Sequence, residues 1–517
     1  MEKITILWAD DEIELLKPHI LFLIEKGYEV VTTNSGNETL DIIKTQHFDI
    51  IFLDENMPGL SGLETLKKLK SIKPNIPVVM ITKSEEESIM EDAIGSKIAD
   101  YLIKPVNPNQ ILLAIKKNLD NKRLVSETTT SDYQQEFRNI FTTINDKLDY
   151  TQWTEVYKKI THWDIELNKS SDNGMIDVLK SQISEANTAF AKYIEQNYVK
   201  WLHSSFPDRP VMSHTLVREK VLPLLSLEGP IFFIVIDNLR YDQWKVIQPI
   251  LEEYYRTISD EMYYAILPTA TQYARNALFA GLMPTEIEKI YPNLWKNEED
   301  EGTKNQFEEE LFASQIKRFG KNFKFSYTKV LNLFFGKKMV ENLPNLISNK
   351  LNVIVYNFVD MLSHARTEME VIKELADDEA AYRSLTKSWF EHSPLMEVVK
   401  YAAEKKAHIV ITTDHGSIRV QNPTKILGDK NTNTNLRYKL GKALQYEKRD
   451  VFEVKNPDDV FLPRINVTTS YAFANENKFF AYPNNYNHYV NFYRNTFQHG
   501  GISLEEMLVP IITLSPK

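Results

Sequence analysis

Residues 1–120 repeat one pattern five times: a short apolar run, then an amphipathic stretch. The runs are Ile4–Ala9, Val30–Thr33, Ile50–Leu53, Val78–Ile81 and Ala99–Ile103, and the stretches include Gly62–Ile72 and Pro108–Leu119. Short, wholly apolar runs that alternate with helical patterns call for a parallel sheet with helices on both faces. Right-handed crossovers then line up the loops after the strands along one edge, where such sheets build their sites. One such domain uses less than a quarter of a 517-residue chain, so two or three further domains are expected.

The polar tract Ser126-Glu-Thr-Thr-Thr-Ser-Asp132 reads as a linker. From 133 to 204 apolar and aromatic residues recur at helical spacing, first Phe137, Ile140, Phe141 and Ile144, then Phe190, Tyr193, Ile194, Tyr198 and Trp201. Asn168–Gly174 interrupts them, which predicts a small helical bundle. Beyond Phe206-Pro-Asp-Arg-Pro210 the alternation returns, with apolar strands at Ile231–Ile236, Val353–Phe358 and His408–Thr412. The expected architecture is therefore α/β, bundle, α/β, with domains at 1–121, 122–208 and 209–517.

The absence of cysteine removes disulfides, thiolate nucleophiles and sulfur-ligated metals. The net charge of −10, of which residues 1–120 carry −7, argues against a protein that coats nucleic acid. The N-terminus has no basic, apolar, cleavable leader, and no run approaches the roughly 18 apolar residues that span a bilayer. The expectation is a cytoplasmic protein with no membrane partner.

Asp10 and Asp11 follow the first strand, Asp54 ends the third, Thr82 the fourth, and Lys104 follows the fifth. Three carboxylates on one sheet edge repel one another unless a hard cation such as Mg²⁺ neutralises them. With a hydroxyl and an ammonium alongside, the set can receive and hold a phosphoryl group. Asp10-Asp11-Glu12, Asp54 with Asn56-Met57-Pro58-Gly59 and Gly62, Thr82, and Lys104-Pro105 resemble a response-regulator receiver domain over the whole first 120 residues. The resemblance implies phosphorylation of Asp54 by a sensor histidine kinase. It also implies Mg²⁺ on Asp11, Asp54 and the Asn56 carbonyl with Asp10 behind them, a Thr82–Tyr101 switch pair, and Lys104 on the phosphoryl oxygens. Receivers of this kind commonly dimerise on phosphorylation, so a homodimer is expected.

The C-terminal region carries Asp237 after IFFIVI, Asp360 and His364 in DMLSH, Asp414-His415-Gly416 after HIVITT, and His499 in QHGG. Asp and His four apart share one helical face and can bind one metal. Six nitrogen and oxygen ligands without sulfur suit a pair of Zn²⁺ ions or a zinc–manganese pair, able to clamp both oxygens of a phosphoryl displacement. Thr271 in Pro268-Thr-Ala-Thr271 supplies a nucleophile, and Gln272–Phe279 can form a helix aimed at a phosphate.

This order of residues resembles the alkaline phosphatase superfamily, and within it the PglZ-type members. Residues 268–284, with Gly281-Leu282 and Pro284, are also similar to the nucleophile region of the nucleotide pyrophosphatase/phosphodiesterase branch. The resemblance implies one zinc on Asp360, His364 and His499, the other on Asp237, Asp414 and His415, with Thr271 facing both. That branch places a phosphate-binding Asn where this chain has Ala274, leaving Arg275 and Asn276 as replacements. Receiver, bundle and PglZ-type domain together resemble response regulators of type IX secretion, which implies a regulatory role in secretion and a sigma-factor partner.

Arg419–Arg449 carries a net charge of +6, including Arg437 and Lys439, around the polar loop Asn431–Leu436. It is expected to be mobile and to hold a nucleotide or oligonucleotide substrate, with a solvated face as the alternative. The acidic run Glu298–Glu310 reads as a surface insertion. The function expected is a phosphorylation-controlled phosphodiesterase for nucleotide-type substrates. The alternative is a transcriptional or sigma-factor-binding regulator whose metal domain is structural.

Overall fold

The apolar runs of the first region form β1 (Thr5–Ala9), β2 (Glu29–Thr33), β3 (Ile50–Asp54), β4 (Val78–Thr82) and β5 (Asp100–Ile103). The sheet is all-parallel, in the order β2-β1-β3-β4-β5. Alternate strand residues feed two cores. Leu7, Ile51, Leu53 and Met80 meet α2 (Gly36–Thr45) and α3 (Gly62–Ile72), while Trp8, Phe52, Val79 and Ile81 meet α1 (Lys17–Glu25) and α4 (Pro108–Ile115). Covering both faces is why β3 and β4 are buried at every residue. Ser61 caps α3 by accepting from Glu64 N while Glu64 accepts from Ser61 N. Gly62 follows because any Cβ there would strike the Asp54 carbonyl and Glu55.

The computed structural model describes all residues except 1–3, 75, 84–97, 170–172, 206, 369–377 and 430–431, and not the side chains of 120–128, 130–131, 173 and 365–368. Any helix between β4 and β5 falls outside the described residues. The chain divides into two compact units, Met1–Asp132 and Tyr133–Lys517.

The expected linker at 126–132 is instead helical, lying within α5 (Asn121–Ile144). Ser and Thr lower helix propensity by only a few tenths of a kcal/mol each, too little to break a helix flanked by good formers. Two more helices follow, α6 (Tyr150–Lys169) and α7 (Asn173–Leu202), on either side of the expected interruption. Trp153, Tyr157, Phe190 and Ile194 from these helices join the same core as the C-terminal sheet.

That sheet has six strands: β6 (Ile231–Ile236), β7 (Tyr255–Tyr264), β8 (Phe325–Val330), β9 (Leu351–Tyr356), β10 (His408–Thr412) and, labelled here β15, Leu508–Pro516. Their order is β7-β15-β10-β6-β9-β8. Strands β10, β6, β9 and β8 run parallel, and β15 runs antiparallel to both its neighbours. The register pairs Thr412 with Val235 and Ile236 with Tyr356, so the loops after β10, β6 and β9 emerge at one level of one edge. The same unit also contains α8 (Tyr241–Leu251), α9 (Thr271–Ala280), α10 (Phe358–Glu368) and α11 (Glu379–His392), then β11 (Ile418–Arg419), β12 (Asn422–Leu427), β13 (Lys478–Ala481), α12 (Tyr486–Tyr493) and β14 (Phe497–Gln498). Among the described residues, no helix is long and apolar enough to cross a membrane.

Candidate phosphoryl-accepting and metal-ligand sites

In the N-terminal unit Asp10, Asp11 and Asp54 bring oxygens within 4.8 Å of one another. Lys104 Nζ lies 2.8 Å from both Asp10 Oδ2 and Asp54 Oδ1, bridging two buried carboxylates. Burial pushes Asp54 above the usual carboxylate range despite the opposing pull of Lys104. Burial works against the Lys104 ammonium too, but its hydrogen bonds to the Asp10 and Asp54 carboxylates prevail and raise its pKa. Asn56 N donates to Asp54 Oδ2 at 3.0 Å, which ties down the residue whose carbonyl the receiver resemblance gives to Mg²⁺. Tyr101 and Thr82 are hydrogen-bonded through their side chains, so the expected switch pair is in contact. A cavity of about 400 Å³ opens beside Asp10 and Lys104, walled by Leu15, His19 and Lys83.

The second site stands on the C-terminal edge of β6, β9 and β10. Asp237 follows β6, where its N–H still donates to Tyr356 O at 2.8 Å. Asn238 then turns the chain in the left-handed region (φ 63°), a conformation Asn tolerates better than most residues. The turn aims Asn238 Nδ2 at Asp360 Oδ1 (3.3 Å) and Ser363 Oγ (3.2 Å), tying the loop after β6 to α10. Asp414 and His415 follow β10, and Gly416 packs so tightly on the Glu505 carbonyl that no Cβ would fit.

All six predicted ligands converge as two triads, Asp360, His364, His499 and Asp237, Asp414, His415, each with its donor atoms within 4.8 Å. His499 Nε2 lies 3.7 Å from Asp360 Oδ1 and His364 Nε2 3.5 Å from Asp360 Oδ2. In the buried triad His415 Nε2 lies 3.8 Å from Asp237 Oδ1 and 3.7 Å from Asp414 Oδ2. The His415 and His499 rings stack with centroids 4.3 Å apart, so the triads adjoin. Both rings donate from Nδ1, His499 to Thr269 O (3.2 Å) and His415 to Gly416 O (3.1 Å), which turns each Nε2 toward the cluster. Asp414 Oδ2 is buried with no hydrogen-bond partner among the described residues. Oxygen and imidazole donors so arranged could hold divalent cations.

The electrostatics are those of crowded acids. Burial pushes Asp237 up to about 6, against the pull of Arg275. Burial lowers His415, but Asp414, Asp237 and Asp360 outweigh it and the net shift is upward. Burial, helped by the neighbouring His415, pushes His499 down to about 3.

Thr271 is the first residue of α9. Its hydroxyl lies 3.4 Å from Asp237 Oδ1 and 3.1 Å from His415 Nε2. Arg275, one turn on, does not face outward to a phosphate. Its Nη1 lies 2.7 Å from Asp237 Oδ2 and its Nε donates to Glu308 Oε1 at 2.7 Å, with all three residues buried. Asn276 is also buried, its amide donating to Gln272 O (2.8 Å) and Lys304 O (3.1 Å). Glu308 therefore corrects the surface-insertion reading of the acidic run, and Glu298 in the same run accepts from Tyr273 and Tyr438.

The basic segment is corrected as well. Arg437 is fully buried, paired with Glu506 at 2.6 Å and donating to Lys478 O and Ile502 O. Lys439 is buried against Tyr482 and donates to Asn433 O at 2.7 Å. Burial pushes its pKa down to about 7. Asn435 Oδ1 accepts from Arg437 N and Tyr438 N, so 432–436 is pinned by polar contacts, while Lys430 and Asn431 lie outside the described residues. These two cations hold the fold together where a substrate contact was expected.

The family model of the BREX system PglZ alkaline phosphatase-like domain matches residues 216–514, more than half of the chain. The chain belongs to the PglZ family. A PorX response regulator linker domain matches 123–202 and a response regulator receiver domain matches 6–116, so this PglZ protein is a receiver–linker–phosphatase-like fusion. Curated relatives match the receiver: the transcriptional regulatory protein ZraR of Klebsiella oxytoca is 31% identical over 26% of this chain and 31% of its own length. The alginate biosynthesis transcriptional regulatory protein AlgB of Pseudomonas putida is 35% identical over 23% of this chain and 27% of its own. The match thus spans about a third or less of those relatives. Among solved structures, a CheY-like receiver from Methanospirillum hungatei is 28% identical, covering 23% of this chain and 96% of that one (TM-score 0.23). A receiver from Clostridium thermocellum is 31% identical, covering 23% and 98% (TM-score 0.22). The fusion is a response regulator whose largest domain has the fold of a phosphatase and phosphodiesterase superfamily.

Proposed function

We propose that phosphorylation of Asp54 controls a two-metal phosphodiesterase with Thr271 as nucleophile and nucleotide-type diesters as substrate. The observation that carries the reading is the Thr271 hydroxyl at a helix N-terminus, 3.1 Å from His415 Nε2 and 3.4 Å from Asp237 Oδ1. Two Zn²⁺ ions, or a zinc–manganese pair, on the two triads would neutralise charge at the attacking and leaving oxygens.

A threonine hydroxyl is a poor nucleophile until its alkoxide is stabilised; a cation held by Asp237, Asp414 and His415 beside Thr271 would supply that, with the proton passing to solvent. Thr271 Oγ1 attacks phosphorus, the bond to the leaving alkoxide breaks, and the leaving oxygen takes up a proton. Water then attacks the nucleotidyl-threonine in line, releasing the phosphomonoester and restoring the hydroxyl. Asn238, Thr269 and Arg275 hold the ligand side chains that frame these steps.

In the receiver, Asp11, Asp54 and the Asn56 carbonyl would take Mg²⁺ while Lys104 and Thr82 hold the phosphoryl oxygens donated by a histidine kinase. Dimerisation on phosphorylation, a sigma-factor partner and control of type IX secretion extend the same reading by resemblance, in a chain whose residues 123–202 match the PorX response regulator linker domain.

The test is hydrolysis of an aryl phosphodiester and an aryl phosphomonoester by zinc-loaded protein and Thr271→Ala, with and without a small phosphodonor. Diester turnover should exceed monoester turnover and fall by at least about 100-fold in Thr271→Ala. Equal turnover by Thr271→Ala would remove the nucleophile, and faster monoester cleavage would remove the substrate class.

A further inference from the structure

The two triads are held unequally. In the buried one, Asp237 meets Arg275 at 2.7 Å, Asp414 Oδ1 accepts from Thr413 Oγ1 at 3.3 Å, and His415 Nδ1 lies 3.1 Å from Gly416 O. None of those three ligand side chains is more than 1% exposed. The other triad lies toward solvent, with the His364 side chain 60% exposed and that of Asp360 17%. Its His499 is oriented by Thr269 O. Among the described residues, one group outside this triad donates to the Asp360 carboxylate, and that is the Asn238 amide. The same Nδ2 lies 3.2 Å from Ser363 Oγ, which in turn donates to Asp360 O at 2.7 Å. Asn238 thus grips both the Asp360 carboxylate and the turn of α10 that carries it.

Stability does not account for an asparagine at this position. Asn238 is fully buried with its backbone in the left-handed region (φ 63°), which glycine adopts more readily. Its Oδ1 is buried with no hydrogen-bond partner among the described residues, a cost that an amide brings and glycine does not. Strain kept beside a cluster of ligands, where a cheaper residue would fit, points to work done in the site.

We infer that Asn238 is the positioning residue of the outer triad: its amide presents Asp360 to a cation shared with His364 and His499. The affinity of that site depends on the amide, and the affinity of the buried site, braced by Arg275 and Thr413, does not. The inference rests on the two-metal reading and deepens it, because it makes the ion at Asp360 the one whose hold is set by the loop after β6.

The experiment is equilibrium dialysis of the full chain against graded Zn²⁺, in excess Mg²⁺ to keep zinc off the receiver carboxylates. Aryl diester hydrolysis is followed in parallel, and the ion lost in His499→Ala marks the outer site. Asn238→Gly keeps the left-handed backbone and removes the amide, whereas Asn238→Ala removes the amide and strains the backbone as well. Both should weaken the outer ion about 10–100-fold and leave the buried ion at its wild-type affinity. With Co²⁺ in place of zinc, the visible bands lost in His499→Ala should weaken or shift in both variants, and the remaining bands should stay as in the wild type. Wild-type affinity in Asn238→Gly with a loss only in Asn238→Ala would assign the effect to the backbone and overturn the inference. Equal weakening of both ions would reduce Asn238 to a general structural role and overturn it too. In either case a wild type that holds two zincs and cleaves the diester leaves the phosphodiesterase reading standing. Two zincs with the expected dependence on Asn238 but no diester hydrolysis would end that reading and keep the inference, and a wild type that holds fewer than two zincs would end both.

Discussion

Replacing Arg275 with Met keeps the apolar stem and removes a charge on which two buried acids depend. Asp237 Oδ2 and Glu308 Oε1 each lie 2.7 Å from the guanidinium, and neither acid is more than 1% exposed. Glu308 retains Lys329 at 3.0 Å, whereas Asp237 retains His415 at 3.8 Å and the neutral Thr271 hydroxyl at 3.4 Å. Removing one partner of a buried pair costs about 3–5 kcal/mol, because the other charge stays desolvated. For a unit the size of Tyr133–Lys517, the unfolding entropy is about 0.8 kcal/mol/K, so Arg275→Met should lower its melting temperature by about 4–6 °C. Scanning calorimetry in chelator reads this directly, with the receiver's own transition as internal reference. Adding zinc should narrow the gap, since a cation at Asp237 and Asp414 replaces the missing positive charge. An unchanged metal-free melting temperature would refute the assignment of Arg275 as the counter-charge of Asp237.

A small phosphodonor should add one phosphoryl group to the wild type and none to Asp54→Asn by intact mass, and incorporation elsewhere would move the acceptor site. Arg437→Met should lower stability by about 3–5 kcal/mol in denaturant melts, by orphaning Glu506, without changing the salt dependence of oligonucleotide binding. A stable Arg437→Met with weakened salt dependence would return this residue to the substrate. Burial pushes Glu505 up to about 7, above its unfolded value, with Arg240 and Asn187 offsetting only part. The folded state therefore binds the extra proton, and this contribution to stability is present below about pH 4.5 and lost as pH rises through about 7. Glu505→Gln should gain melting temperature relative to wild type between pH 5 and pH 8; a difference that stays flat across that range would refute the shift.

The strand periods and the residues at strand ends were legible from sequence, because both rest on local rules. IFFIVI and HIVIT must be buried on both faces, and a parallel sheet sends whatever follows them to one edge. Asp237, Asp414 and His415 were therefore readable as neighbours although 178 residues separate the first from the last. What failed was the fate of individual charges. Arg437 and Glu308 sit in runs that look solvated, yet Arg437 pairs with Glu506, and Glu308 with Arg275 and Lys329, partners that no spacing announces. The Thr-rich tract failed differently: its propensity argument was sound in direction but too small to end a helix.

Linker residues 133–202 and the phosphatase-like domain fall in one unit, and their contacts give the reason. Asp164 on α6 pairs with Arg383 on α11, which reaches Asp242 at 3.1 Å, and Asp242 accepts from Arg240 Nε at 2.9 Å. Arg240 lies three residues after Asp237, and its guanidinium sits 5.1 Å from the ring of Phe497, two residues before His499. On α7, Tyr198 accepts from Leu267 N at 2.8 Å just ahead of Thr271, and Asn187 accepts from Leu504 N at 2.8 Å. Each of these groups is buried or nearly so, where an unpaired partner is expensive, so the helices cannot shift without disturbing segments that carry Asp237, Thr271 and His499. A bundle tied in this way belongs to the same body as the two triads. A signal that reaches its helices needs no separate lever to reach Asp237, Thr271 and His499.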